Sequence, residues 1–246
     1  MKKAGADFLE LPLSVVFKEG EEARGAARLA GLGLPVEVWH ALLPGELKVA
    51  GSEVVRGRVD NWLRHSMMWA RAASAGGVGP KVLVFGSGRA RAVEEGFARE
   101  EAEQQLLWAL HRAADHARAE GFLLAIEPLE RASTNMMNTL AEAVRVVERM
   151  GRKGVGVTAD TRQMAAEEEP LTRLAEAGGH LLHVHVSGPG ASPPAEGAAE
   201  FEALFETLGR TGYTGRVSIE CAWTDFARQA PQAISFLKEV ERRCRQ

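Results

Sequence analysis

Seven short apolar runs punctuate this chain, starting near residues 7, 36, 81, 122, 155, 181 and 216, and each is followed by a longer amphipathic stretch. A brief continuous apolar run is the pattern of a strand covered on both faces. Strands that alternate with helices, with no hairpin signals between them, form a parallel sheet. The units span roughly 30 to 45 residues, a length that favours a closed α/β barrel over an open sheet. Seven is one fewer than the usual eight, and Met1 lies six residues before the first run, so any further unit is expected upstream of this sequence.

The later runs share a second property. FLLAIEPL stops on Glu127 with Pro128 behind it, VGVTAD stops on Asp160, LLHVHVS carries His185 near its end, and RVSIEC carries Glu220. Parallel barrels deliver functional groups at the carboxyl ends of their strands, so these four side chains can meet at one rim. A single Glu or Asp after a strand is usually a helix cap or a solvated loop charge; the shared position sets the four apart. By strand alternation His183 faces the same side as His185, where it either ligates or supports its neighbour.

Three carboxylates and one imidazole make an oxygen-rich donor set. It suits Mn²⁺ or Mg²⁺, with Co²⁺ and Zn²⁺ also compatible, better than a structural zinc site, which would use more cysteine or histidine. A cation there would stabilise charge on a sugar oxygen while Glu127 and Glu220 remove and return a proton on carbon.

Other residues carry weaker signals. Gly86-Ser87-Gly88 is a tight turn or a cradle for an anion, and Arg89 and Arg91 beside it are anion contacts or solvated charges. Trp223, three residues past Glu220, is a candidate pocket wall against a sugar face, whereas His40, His65, His111 and His116 read as surface or packing residues. A helix from about Glu53 places Val55, Val59, Trp62, Ser66, Trp69 and Ala73 on one stripe and closes in the run Gly76, Gly77, Gly79, Pro80. Thr139 and Glu142 form a capping-box pattern. After Asp160 a polar loop and a short helix opened by Pro170 are expected, and Ser187 to Gly197 reads as an active-site loop.

With 246 residues and 46% hydrophobic content the chain can bury a core as one domain over 1–246. A net charge of -3 gives no electrostatic reason to expect nucleic acid or an anionic membrane as partner. Two cysteines exclude a disulfide framework and fit a cytoplasmic setting, and no run approaches the ~18 apolar residues of a membrane span.

At these residues the chain resembles the xylose-isomerase-like superfamily of sugar isomerases and epimerases, and within it the ketose 3-epimerase and hydroxypyruvate isomerase-like group. The matching pieces are GADFLELPLS, PGELKVAG, VFGSGRARAVEEGF, AIEPLERASTNMMNT, GVTADTRQM, HVHVSG and GYTGRVSIE, in order along nearly the whole chain. The resemblance implies a TIM barrel with one divalent metal on Glu127, Asp160, His185 and Glu220, the two glutamates acting as acid and base on a small carbohydrate through an enediolate. Gln163, at a position that contacts substrate in that family, joins Trp223, Gly86, Ser87 and His183 as the candidate substrate-binding residues.

Three positions depart from the epimerases of that family: Gln163 stands where they usually carry His, Ala191 where they carry Arg, and Ser133 where they often carry Glu. All three contact substrate there, so the resemblance implies the metal site more firmly than the substrate. Family chains begin with one more strand and helix, so this barrel is expected to be open at one edge or covered by a second copy. A keto-inositol dehydratase type of lyase and a non-catalytic metal-binding barrel are the alternatives on the same scaffold. The superfamily's DNA-repair endonucleases would need more histidines.

Overall fold

The computed structural model describes residues 2, 5–18, 20–74, 81–195 and 200–244. Strand β1 (Leu9–Pro12) leads to α1 (Leu13–Val16) and α2 (Glu22–Ala30), and β2 (Val36–His40) to α3 (Arg56–Ala73). Next, β3 (Val82–Phe85) leads to α4 (Gly88–Arg91) and α5 (Arg99–Ala119), and β4 (Leu123–Ile126) to α6 (Leu140–Met150). The last units are β5 (Val155–Asp160) with α7 (Thr161–Ala166) and α8 (Arg173–Ala177), β6 (Leu181–Val186) with α9 (Glu200–Arg210), and β7 (Arg216–Ile219) with α10 (Phe226–Cys244). All seven strands pair in parallel, in the order β1 to β7. This is the nearly closed α/β barrel of seven units that the apolar rhythm predicts.

Alternation along each strand divides its residues between two cores. Trp39, Leu83, Phe85, Leu124, Ile126, Val157 and Val184 belong to one large cluster with helix residues such as Leu63, Met67, Leu106 and Leu110. Full burial of a side chain such as Leu63 or Leu110 contributes roughly 1.5–3 kcal/mol. Val38, Val82, Val84 and Ala125 form a second cluster on the opposite strand face, the barrel interior. The α5 stripe of Ala102, Leu106, Leu110, Ala113 and Ala117 is buried as its spacing predicts. Helix α6 opens with the full capping box, Thr139 accepting from the Glu142 N–H and the Glu142 carboxylate accepting from the Thr139 N–H.

Three local expectations are corrected. Val55 is 51% exposed, because α3 starts one residue later and leaves it outside the buried stripe. The polar loop expected after Asp160 is helix α7, whose first N–H groups Asp160 itself caps. Arg91 is neither solvated nor open to an anion: it is 0% exposed and donates to the carbonyl oxygens of Glu127 (2.8 Å) and Met137 (3.4 Å). The run Gly76 to Pro80 lies outside the described residues, as does 196–199 of the Gly/Pro-rich loop. The part before it folds back through a bridge between Gly188 and Ser192.

Among the described residues no ladder joins β1 to β7, and a seam separates them. Side chains span it. The Arg216 guanidinium lies 2.7 Å from Glu37 on β2 and stacks 5.2 Å from the Phe8 ring, while Lys238 on α10 stands 3.0 Å from Asp7. A groove of about 330 Å³ runs along the seam, lined by Phe8, Leu9, Val217, Ile219, Trp223 and Leu237 among others.

Candidate metal centre

Four neighbouring strands end on the four residues singled out by position. Glu127 follows β4, Asp160 closes β5, His185 is the penultimate residue of β6, and Glu220 follows β7. One ligand atom from each lies within 4.8 Å of the other three. His185 Nδ1 is the hub, 2.6 Å from Glu220 Oε2, 2.9 Å from Glu127 Oε1 and 4.0 Å from Asp160 Oδ2. Glu127, Asp160 and His185 are buried, whereas the Glu220 side chain is 41% exposed and opens the cluster to solvent.

Local structure aims each carboxylate. Asp160 Oδ1 accepts from the N–H groups of Arg162 (2.7 Å) and Gln163 (3.1 Å), which caps α7 and leaves Oδ2 toward His185. The residue is a helix cap and a cluster member at once. Glu127 rests beside Gly86, where any Cβ would collide with its Oε2; the glycine is there because the carboxylate needs the space. Beneath it, Arg91 fixes the Glu127 carbonyl.

Two residues outside the predicted set meet this cluster, Glu10, which carried no expectation, and His40, which was expected on the surface or in packing. Glu10, on β1, lies between two histidines of β6: its Oε1 is 2.7 Å from His185 Nε2 and its Oε2 is 2.9 Å from His183 Nε2. His40, at the end of β2, is no surface residue. Its Nδ1 lies 3.2 Å from Glu220 Oε1 and 3.5 Å from Glu10 Oε1. A carboxylate inside an otherwise apolar strand, FLELP, was the available signal for Glu10.

Charge crowding perturbs the whole group. Burial, with the charges of Glu127 and Glu220, pushes the Asp160 carboxyl up to about 7. Burial disfavours the His185 cation, but Glu10, Glu127 and Glu220 outweigh it and hold the imidazole well above its usual range. Burial likewise raises Glu10 and Glu220, and the neighbouring histidines overcome it and lower both. Burial pulls His183 down, and it lowers Arg91 to about 10. Such a cluster favours added positive charge at its centre.

The remaining predicted residues sit in different settings, and Trp223 is placed on the seam groove, whose lining includes none of the four cluster residues. Gln163 is buried and its Oε1 accepts from the Glu130 N–H at 2.7 Å. The Ser87 hydroxyl accepts from the Leu43 N–H at 3.0 Å, with Ser87 itself in the left-handed region at φ 47°. His183 packs edge-to-face on His185 with ring centres 4.8 Å apart. Trp223 lies on the seam groove, 5.3 Å from the Phe226 ring.

A seven-unit barrel with this rim can be compared with known proteins. The sequence profile of the xylose isomerase-like TIM barrel family matches residues 1–240. The chain belongs to that family. This xylose isomerase-like chain is 28% identical over 230 residues to a ketose 3-epimerase of Arthrobacter globiformis, covering 89% of its own length and 74% of the relative. It is 35% identical over 105 residues to the 3-dehydro-D-guloside 4-epimerase of Escherichia coli strain K12, 42% of this chain and 40% of that one. The fold of a solved L-ribulose 3-epimerase superposes with a TM-score of 0.83 at 22% identity, covering 99% of this chain and 87% of the other. Among the described residues, no helix is long and apolar enough to cross a membrane.

Proposed function

We propose that this xylose isomerase-like chain is a divalent-metal-dependent isomerase or epimerase of a small ketose or ketose derivative. The observation that carries the reading is the meeting of Glu127, Asp160, His185 and Glu220 within 4.8 Å at the ends of four consecutive strands. Three carboxylates and one imidazole fit a hard or borderline cation, Mn²⁺ or Mg²⁺ before Co²⁺ or Zn²⁺. The excess of negative charge in a buried setting is a physical reason for one to bind. The sugar epimerases among the relatives support the same class of reaction.

When bound, a divalent cation supplies Lewis-acid stabilisation for negative charge on the oxygens of a sugar. The chain's own groups do the proton work. Glu127 and Glu220 are the acid and base, one taking the proton from the carbon next to a carbonyl and the other returning one, so that the substrate passes through an enediolate. Glu220 is the more open of the two and is held by His40 Nδ1 at 3.2 Å, which keeps its second oxygen free of rotation. Asp160 is tied to the main chain of α7 and serves as a ligand only. Gln163, His183, Gly86, Ser87 and Trp223 are proposed to shape the sugar site around this centre. Gln163 is occupied with the Glu130 N–H, so its grip differs from that of a free polar side chain, and the substrate with it.

The test is proton exchange. The Mn²⁺-loaded chain, incubated with a panel of ketoses in deuterated water, is expected to place deuterium on a carbon adjacent to the carbonyl, read by NMR. A metal-loaded chain that exchanges no ketose proton overturns the proposal.

A further inference from the structure

The imidazole at the hub of the cluster has two nitrogens, and only one can face a cation. His185 Nδ1 is surrounded by Glu127, Glu220 and Asp160, so its lone pair has to point at them for the ring to act as a ligand. A neutral imidazole carries one proton, and that proton must then sit on Nε2. Nothing on the Nδ1 side enforces this. Left to the three carboxylates, the ring would place its proton on Nδ1 and present no lone pair.

Glu10 supplies the missing constraint from the opposite side. Its Oε1 accepts from His185 Nε2 at 2.7 Å, and its Oε2 accepts from His183 Nε2 at 2.9 Å, so both carboxylate oxygens are committed. His183 is 0% exposed and its Nδ1 has no hydrogen-bond partner in the protein, which leaves the bond to Glu10 as the one that orients it. The ring of His183 then packs edge-on against His185 at 4.8 Å and limits its rotation. We propose that Glu10 is the positioning residue of the metal centre, selecting the Nε2–H tautomer and ring angle of His185 so that Nδ1 faces Glu127, Asp160 and Glu220. It acts through His185, on the side of the ring away from the ion. The inference rests on the metal-centre reading given above.

The placement has a structural corollary. Glu10 comes from β1, which borders the seam, whereas the four ligands come from β4 to β7. The ligand set is therefore oriented across the barrel interior by a strand that contributes no ligand to it. A competing arrangement exists, with a second cation on Glu10, His183 and His185, whose ligand atoms also lie within 4.8 Å. It would require Nε2 of both rings to lose its proton and His185 to bridge two ions as an imidazolate.

Calorimetric titration with Mn²⁺ of the full chain, of Glu10→Gln and of Glu10→Ala decides among these. The expected result is one ion per chain throughout, with affinity falling about 10-fold in Glu10→Gln, which keeps the size and one acceptor, and about 100-fold in Glu10→Ala. Nitrogen-15 shifts of His185 in the chain loaded with diamagnetic Mg²⁺ are expected to report a proton on Nε2 and none on Nδ1, a pattern that the Glu10 variants lose. Variants that melt earlier yet bind Mn²⁺ within twofold of the unsubstituted chain would show a purely structural Glu10 and overturn the proposal. So would a second ion that disappears with Glu10. If Glu10→Ala does not fold, the Glu10→Gln value decides. An unsubstituted chain with no saturable Mn²⁺ binding removes the metal-centre reading and this inference together; an unsubstituted chain that binds, with unaffected variants, removes only the inference.

Discussion

On the β2 to β4 side of the barrel interior, Val38, Val82, Val84 and Ala125 form a fully buried apolar cluster. On the β5 to β7 side, the register sets Thr158 beside His183 and Ser218 beside His185, and Thr158, His183, Ser187 and Ser218 each keep a buried polar atom without a partner in the protein. The same strand geometry thus holds two materials. An apolar half is stable by burial alone, whereas unpaired buried polar atoms cost free energy, of the order of 1–3 kcal/mol each, unless water or a ligand satisfies them. The polar half carries polar atoms at the expense of stability, and the candidate metal centre sits at its end.

The sharpest test of this division is at the rim. Glu220→Gln is expected to slow deuterium exchange of a ketose substrate by roughly 10²–10⁴-fold, since it removes a proton-transferring group. Its unfolding midpoint should stay close to that of the unsubstituted chain, because Glu220 is the most open member of the cluster. A second measurement exchanges the materials. Val84→Ser puts an unpaired hydroxyl into the apolar half and removes buried methyl groups, for an expected loss of about 2–4 kcal/mol in urea unfolding. A loss below 1 kcal/mol, on the same scale, would mean that the two halves are not different in kind.

Metal removal probes the polar half as a whole. A chain saturated at 100 times its dissociation constant gains about 2.7 kcal/mol, so chelation should lower stability by that amount, with the amides of β4 to β7 losing most hydrogen-exchange protection. Equal loss across β1 to β3 would contradict the division. The smallest effect belongs to Ser218→Ala, which deletes a hydroxyl that has no partner. Its unfolding free energy should stay within about 0.5 kcal/mol of the unsubstituted chain or rise.

These tests also show what could be read along the chain and what could not. The convergence of Glu127, Asp160, His185 and Glu220 was legible because each occupies the same place in a repeating unit, and strand β2 and the Thr139 capping box were legible because their patterns are local. Glu10 and His40 were not. Glu10 lies within β1, not at its end, and its partners His183 and His185 are 173 and 175 residues away, so only the closing of the barrel brings them together. Arg91 misled for a related reason. A charged residue after a Gly-rich turn reads as solvated, and nothing local announces the Glu127 carbonyl that satisfies it in the interior.

The seam gives the molecule one freedom that an uncut ring of strands lacks. Six hydrogen-bonded ladders fix the spacing of their strands, but among the described residues the gap between β1 and β7 is bridged by side chains, such as Arg216 on Glu37 and Phe8 and Lys238 on Asp7, with no ladder. The circumference of the mouth can therefore change by sliding those side chains, with every ladder intact, and the bore above Glu220 is adjustable where a fully laced wall would be rigid.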